Sequence, residues 1–451
     1  MITIDPTIFK AYDIRGFYPS QITKENSYII ARAICEFVKP KTVVIGKDVR
    51  VGSNSVYKTF IEGFLDSGVN VDYLGEVTSD SVYFAVGKYN YDLGIAITGS
   101  HNPKEYTGFK LTKKGVVPIS GDSGMNEIRA LAIKGEFVKV ENRGQYKEID
   151  LTEEYINQVF SFINKTTIKP LKIALDTGNG VAGPIILDIL SKLPVEVFSI
   201  YTQKDGNFPN HLPDPLKEEN LVDLKALVVK NKCDIGVAFD GDGDRVFFVD
   251  ENGNSSNGYF ITAFLSKVML IKNPGASIVH EPRLTWAILD TIKEFGGVPE
   301  ISKAGHSLIK ETMRRTNSAF GGETSGHFYY RDYYYADNGV ISMLLVLELM
   351  SKENRKFSDM LKDYFDKYFF SGEINNIVSN PDQTISQIKA NYSNSGYLLD
   401  ETDGITVENG REWRFNVRKS NTEPLVRLNV EAKSKEIVDV MTKEVLHLIQ
   451  N

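Results

Sequence analysis

Leu93-Gly-Ile-Ala-Ile-Thr98-Gly-Ser-His-Asn-Pro103 decides how the chain is read. Residues 93–98 form an apolar run of the length expected for a fully buried strand, and Gly99 supplies backbone freedom for a sharp turn away from a sheet. Ser100 is thereby expected to project from a strand end, with His101 beside it and Lys110 a few residues on. A serine hydroxyl is a weak nucleophile at its ordinary pKa and needs a base, a cation or a metal before it can carry a covalent group. Capping of a turn or helix start by Ser100 and Asn102 is the alternative reading of the same residues.

Upstream, Thr42-Val-Val-Ile-Gly46 begins an alternation of strand and helix patterns: a helix over 53–67, a strand over 69–73, a helix over 79–89, then the strand that ends at Ser100. That order predicts a mainly parallel α/β layer with helices on both faces. Ligands of such layers gather at the carboxyl ends of strands, where Ser100 falls. Residues 109–119, with Lys113-Lys-Gly115 in the middle, read as a hairpin. The opening Phe9-Lys-Ala-Tyr-Asp-Ile-Arg-Gly16 is too polar for a core strand. Arg15 there is a candidate anion contact through its rigid fork of donors, or else the partner of Asp13 in a surface ion pair.

Length implies about three or four domains, and 42% hydrophobic with 25% charged residues is a soluble globular composition. No long uncharged apolar run and no basic-then-apolar start are present, so a cytoplasmic protein without membrane attachment is expected. Cys35 and Cys233 read as buried free thiols. The net charge of −7 argues against nucleic-acid binding and requires that any anionic ligand be drawn in by a local basic cluster.

After a charged stretch over 134–154, a second β/α unit starts at Lys172-Ile-Ala-Leu-Asp176, and its turn Thr177-Gly-Asn-Gly180 echoes the turn at Ser100, a sign of repeated domains. Residues 205–215 are irregular through their prolines. The strand Ile235-Gly-Val-Ala-Phe239 then runs into Asp240-Gly-Asp-Gly-Asp-Arg245. Three carboxylates at alternate positions, with glycines that let the backbone curl, can converge on one hard divalent cation. A calcium-binding helix-loop-helix competes, because Glu251 occupies the twelfth place, but Arg245 stands where that loop needs glycine and residues 246–249 read as a strand. Three protein carboxylates leave coordination open for a phosphate oxygen, which suits Mg²⁺.

A third β/α unit runs from residue 276 to Lys303-Ala-Gly-His306 and on to Gly321-Gly-Glu-Thr-Ser-Gly-His327. Glu323 and Ser325, set between glycines, could grip vicinal sugar hydroxyls or simply form a polar turn. His306 and His327 lie in glycine-flanked loops, and the tyrosines over 329–335 read as packing. Beyond residue 368 the pattern becomes a smaller α+β domain whose strand 413–417 opens into Arg418-Lys-Ser-Asn-Thr-Glu-Pro-Leu-Val-Arg427. Arg418, Ser420, Asn421 and Thr422 make a plausible cradle for a phosphate dianion. Capping accounts for Ser420 and Thr422 alone.

Taken together, these loops closely resemble the α-D-phosphohexomutase family, and within it the bacterial phosphomannomutase/phosphoglucomutase group, over the whole chain and in the family's order. The resemblance implies three similar mixed α/β domains and a smaller, mobile C-terminal α+β domain around one central cleft, with expected bounds 1–148, 149–250, 251–367 and 368–451. It implies that Ser100 carries the phosphoryl group and meets the Mg²⁺ held by Asp240, Asp242 and Asp244. His101, Lys110, Arg245, His306 and His327 would be the catalytic neighbours, with Lys110, His306 and His327 as candidates for proton transfer. Tyr12, Arg15, Lys303, Glu323, Ser325, Arg418, Ser420, Asn421, Thr422 and Arg427 would contact substrate.

The implied reaction interconverts mannose 6-phosphate and mannose 1-phosphate, and the glucose pair, through a hexose 1,6-bisphosphate, with glucose 1,6-bisphosphate as activator. Hexose phosphates are the expected partners and a monomer the expected state. Residues 209–215 and 420–424 look like the mannose/glucose group, whereas phosphoglucosamine mutases usually carry glycine where Asn421 stands. Thr324 departs from the methionine common in the nearest group and keeps phosphoglucosamine mutase as an alternative. A magnesium-dependent sugar-phosphate phosphatase would use the same serine and metal, and a non-catalytic sensor would explain the aspartates but not Ser100 with Arg418.

Overall fold

Around the strand Leu93–Ile97, the computed structural model, which describes residues 4–420 and 425–450, forms a seven-stranded sheet. Its order is Ile14–Phe17, Tyr106–Lys113, Leu93–Ile97, Thr42–Lys47, Asn70–Glu76 and Tyr146–Glu148, with Val117–Pro118 paired to Tyr106–Lys113. Thr42–Lys47 is parallel to both neighbours, with Val43 opposite Leu93 on one side and Val71 on the other. The helices Lys24–Val38, Val51–Leu65 and Met125–Lys134 share one core with these strands, in which Phe60 stacks on Phe109 with ring centroids 4.1 Å apart. Burying each such side chain contributes about 1.5–3 kcal/mol.

The sheet is more mixed than the strand and helix alternation suggests. Tyr106–Lys113 runs antiparallel to both Leu93–Ile97 and Ile14–Phe17. The connection after Ile97 is too short for the crossover of a dozen or more residues that a parallel neighbour requires. The polar opening segment therefore becomes an edge strand, and the charged stretch after Lys134 supplies a second exposed edge through Tyr146–Glu148. The expected hairpin forms, with Thr112 opposite Pro118.

The chain divides into two compact units, Met1–Ser256 with Ser325–Phe357, and Asn257–Thr324 with Ser358–Asn451. The first unit also holds a four-stranded sheet ordered Val246–Asp250, Ile235–Phe239, Leu171–Asp176, Val195–Ile200. Ile235–Phe239 is parallel to Leu171–Asp176 and antiparallel to Val246–Asp250, so residues 240–245 close a hairpin. Tyr329, Tyr330 and Tyr333 are buried in this unit, where the Tyr333 hydroxyl donates to the Asp80 carbonyl at 2.8 Å. Cys35 and Cys233 are buried free thiols, and burial pushes them up to about 12 and about 11.

In the second unit Ser277–His280 pairs in parallel with Val298–Ile301 and with Phe320–Gly322. A six-stranded antiparallel sheet follows, in which Leu425–Ala432 pairs with Phe369–Phe370, Ile374–Ile377 and Trp413–Lys419. Pro381–Tyr392 and Lys435–Gln450 supply Ile388, Val438, Met441 and Val445 to the core beneath it. No helix among the described residues is long and apolar enough to cross a membrane.

Candidate active site

Ser100 stands at the carboxyl end of Leu93–Ile97 with φ 50°, in the left-handed region that an L-residue enters at a cost. The surrounding contacts impose that geometry. Arg50, wholly buried, donates from Nη2 to the carbonyls of Ser100 and Asn102 (2.6 Å each) and from Nη1 to those of Pro103 (2.6 Å) and Tyr106 (3.3 Å). Its Nε lies 3.2 Å from Asp48, and its guanidinium sits 4.7 Å from the Phe208 ring centroid. Asp48 in turn accepts from the Thr98 hydroxyl (2.7 Å) and the Gly99 N–H (3.2 Å). The turn is thus held from within by one buried ion pair.

The hairpin turn 240–245 meets it. A side chain at Gly241 would come within 2.5 Å of the Ser100 carbonyl, so glycine is required for the approach. The Ser100 hydroxyl donates to Asp240 Oδ2 at 3.2 Å and lies 3.3 Å from His101 Nδ1. Arg245 donates to the same Asp240 carboxylate from its N–H (3.1 Å) and from Nε (3.0 Å). Lys110, on the neighbouring strand, bridges Asp242 Oδ2 (2.6 Å) and Asp244 Oδ2 (2.5 Å). Asp240, Asp242 and Asp244 offer oxygens that all lie within 4.8 Å of one another. Oδ1 of Asp242 and Oδ1 of Asp244 are buried without a hydrogen-bond partner among the described residues. An all-oxygen, triply acidic donor set with unused lone pairs fits a hard divalent cation.

Burial and charge pull these groups in opposite directions. Burial raises the Asp240 carboxyl well above the carboxylate range despite Arg245. It also penalises the Asp242 carboxylate, but the Lys110 ammonium outweighs it and holds Asp242 well below that range. Burial likewise disfavours the Lys110 ammonium, and Asp242 and Asp244 together keep it protonated well above the usual lysine range. His101 is pushed well down by burial and then by Arg245. His327, 3.9 Å from Asp244 and bonded through Nδ1 to the Ser325 hydroxyl at 3.1 Å, is lowered by burial to about 4 and is neutral at pH 7. Arg15 forms the ion pair with Asp13 and donates from Nη1 to Asn102 Oδ1 at 2.6 Å. Tyr12 lies in the adjoining bend, half-buried.

The remaining candidates belong to the second unit. Glu323 is buried and accepts the Gly305 N–H at 2.8 Å, which ties the loop before His306 to the loop after Phe320–Gly322. Lys303 is exposed and His306 half-buried at the start of His306–Thr316. Arg418 is the next-to-last residue of Trp413–Lys419, with Arg427 directly opposite on Leu425–Ala432. Ser420 is half-buried and donates its N–H to the Leu425 carbonyl at 2.9 Å. Asn421 and Thr422 lie outside the described residues.

Four family descriptions match in succession: phosphoglucomutase/phosphomannomutase α/β/α domain I over residues 6–139, domain II over 153–253, domain III over 257–368, and the C-terminal domain over 373–448. The chain belongs to the phosphoglucomutase/phosphomannomutase family. It is 41% identical to a phosphomannomutase of Escherichia coli K12, covering 98% of this chain and 99% of that one. It is 42% identical to a phosphomannomutase of Vibrio cholerae, over 95% and 94%. A crystal structure of a phosphoglucomutase/phosphomannomutase family protein from Burkholderia thailandensis superposes with a TM-score of 0.90 at 30% identity, covering 99% and 98%. The protein is a phosphohexomutase of four-domain α/β architecture, an enzyme of the phosphotransferase type.

Several groups beside these loops escape a reading of the sequence. Asp48 and Arg50 follow directly on Thr42–Lys47, at the same strand end as Ser100, and that placement was the available signal. Ser79 is another, donating its N–H to the Asp242 carbonyl at 3.0 Å and its hydroxyl to the Asp242 carboxylate. In the second unit, Glu281 pairs with Arg283 at 2.5 Å and accepts both the N–H and the hydroxyl of Thr324 (2.8 Å each). Glu373 lies against Arg283, Arg418 and Arg427.

Proposed function

We propose that this phosphohexomutase interconverts mannose 6-phosphate and mannose 1-phosphate, and the corresponding glucose phosphates, through a phosphoserine at Ser100 and a hexose 1,6-bisphosphate intermediate. The observation that carries the reading is the buried Ser100 hydroxyl, 3.2 Å from Asp240 Oδ2 and facing a turn of three carboxylates. The family and the phosphomannomutase relatives support the sugar class.

Asp240, Asp242 and Asp244 would hold Mg²⁺, which, when bound, would neutralise phosphoryl oxygens as charge develops on them. The chain's own groups do the rest. Arg50 and Asp48 hold the Ser100 turn rigid, so that the phosphoryl group is presented in one orientation. Lys110 and Arg245 are fixed cations beside the transferring group. Because two carboxylates lock the proton on Lys110, His306 and His327 are the better candidates to carry the proton of the sugar hydroxyl. Glu323 and Ser325 would bind sugar hydroxyls, and Arg418 with Arg427 the phosphate that is not reacting, with Tyr12, Arg15 and Lys303 as further contacts. Glucose 1,6-bisphosphate would prime Ser100.

Phosphorus NMR of the protein with Mg²⁺, a trace of glucose 1,6-bisphosphate and mannose 1-phosphate tests this. Growth of the 6-phosphate signal without inorganic phosphate, abolished in Ser100→Ala, is expected. Release of inorganic phosphate would replace the mutase reading by a phosphatase. Turnover of glucosamine 1-phosphate in preference to mannose 1-phosphate would make the enzyme a phosphoglucosamine mutase, and full activity in Ser100→Ala would refute the phosphoserine.

A further inference from the structure

Three guanidinium groups of the second unit converge on one carboxylate. Glu373 Oε2 lies 3.2 Å from Arg283 Nη1 and 3.5 Å from Arg418 Nη2, and Glu373 Oε1 lies 3.2 Å from Arg427 Nη1. These are long for ion pairs, since a charge-assisted N–H···O bond settles at about 2.7–2.9 Å. Among the described residues, Nε of Arg418 and Nε of Arg427 are buried without a hydrogen-bond partner, the Asp403 carboxylate lying 4.0 Å from the former. Arg414 fixes the segment that carries Arg283, donating to the carbonyls of Pro282 (2.7 Å) and Arg283 (3.0 Å). Glu281 takes Nε and Nη2 of Arg283, so the two oxygens of Glu373 are left to serve Arg283 Nη1, Arg418 and Arg427.

Glu373 lies in the connection just before Ile374–Ile377. It is 27% exposed at its side chain, and it follows Gly372, whose φ of 74° and open surroundings make it a pivot between Phe369–Phe370 and Ile374–Ile377. A tetrahedral dianion has the charge and the number of oxygens that this set of donors lacks. We propose that Glu373 is a resident stand-in for the substrate's phosphate, an internal carboxylate that keeps Arg283, Arg418 and Arg427 charge-balanced and that an entering phosphate dianion must displace. Glu373 thereby sets the affinity of the cradle. Through the Arg283–Glu281 pair, whose carboxylate also holds Thr324, its displacement is felt at the loop that carries Glu323. This inference rests on the reading of Arg418 and Arg427 as phosphate ligands.

The test is calorimetric titration of inorganic phosphate into the full chain without Mg²⁺, for the wild type, Glu373→Gln, Glu373→Asp and Arg418→Ala. Removing one negative charge a few ångströms from a bound dianion should tighten binding by at least about tenfold in Glu373→Gln, the size of the effect when water screens the pair almost fully. Glu373→Asp, which keeps the charge, should not tighten it, and Arg418→Ala should weaken it. Unchanged or weaker binding in Glu373→Gln, with Arg418→Ala still weakened, would overturn the inference and leave Glu373 as a brace for the arginines. Unchanged binding in Arg418→Ala would remove the cradle and the inference with it.

Discussion

Arg50→Lys should loosen the Ser100 turn without unfolding the protein. The guanidinium reaches four carbonyls from two nitrogens, three of them at 2.6 Å. A lysine ammonium keeps the charge beside Asp48 but has a single donor centre and no fork, so about two of the carbonyls lose their partner. A hydrogen bond to a charged group contributes about 1.5–3 kcal/mol net. Two such losses amount to about 3–6 kcal/mol, which local relaxation and water reduce to about 2–3 kcal/mol. Ser100 adds to the tendency, because its left-handed backbone persists only while its surroundings impose it. At 1.36 kcal/mol per factor of ten, amide exchange over residues 98–106 should accelerate by roughly 30- to 150-fold. A displacement of the hydroxyl by about 1 Å should lower turnover about a hundredfold. Hydrogen-exchange mass spectrometry of that segment, read beside circular dichroism and phosphorus NMR, measures all three. Exchange and turnover equal to those of the wild type would show that the turn is held by its own residues and not by Arg50.

Lys110→Met removes the ammonium that bridges Asp242 and Asp244 and leaves two buried carboxylates without it. Loss of one partner of a buried pair typically costs about 3–5 kcal/mol. The melting temperature should fall, and Mg²⁺ should restore it by more than it raises the wild type; equal shifts in both would argue against the three aspartates as the cation site. Asp80, held by the Tyr155 hydroxyl (2.7 Å) and Asn338 (2.6 Å), is raised by burial to about 7. The folded state thus binds a proton that the unfolded chain has already released. Its contribution to stability is full below the unfolded carboxyl pKa and is lost as pH rises through about 7. Melting followed from pH 5 to 8 should decline less steeply in Asp80→Asn than in the wild type, and parallel profiles would refute the shift.

Much of the fold was legible because helices and strands are written in local periodicity. The helix Ser79–Tyr89 and the strand Ile235–Phe239 have the bounds that their patterns indicate. Val51–Leu65 begins two residues before the expected helix, where Arg50 acts as N-cap without a side-chain cap bond. No Ser, Thr or Asn marks that start, so pattern alone could not find it. Tyr146–Glu148 was hidden among charges because an exposed edge strand needs no apolar alternation. The loops that carry Ser100, Asp240 to Asp244, Glu323 and Arg418 stood out because each packs reactive groups and glycines into a few consecutive residues.

What the sequence by itself determined is therefore the set of elements, the order of the loops and the chemistry each loop can offer. Tertiary structure alone decided which charges answer one another. Arg50 reaches the Ser100 turn across about fifty positions, Lys110 reaches Asp242 across 132, and Arg283 reaches Glu373 across 90. Hydrogen bonds and ion pairs depend on separations of a few ångströms in space, and no spacing along the chain encodes them. The proton locked on Lys110 and the carboxylate resting among three arginines arise only when distant segments are buried together, where low polarity makes each unpaired charge costly.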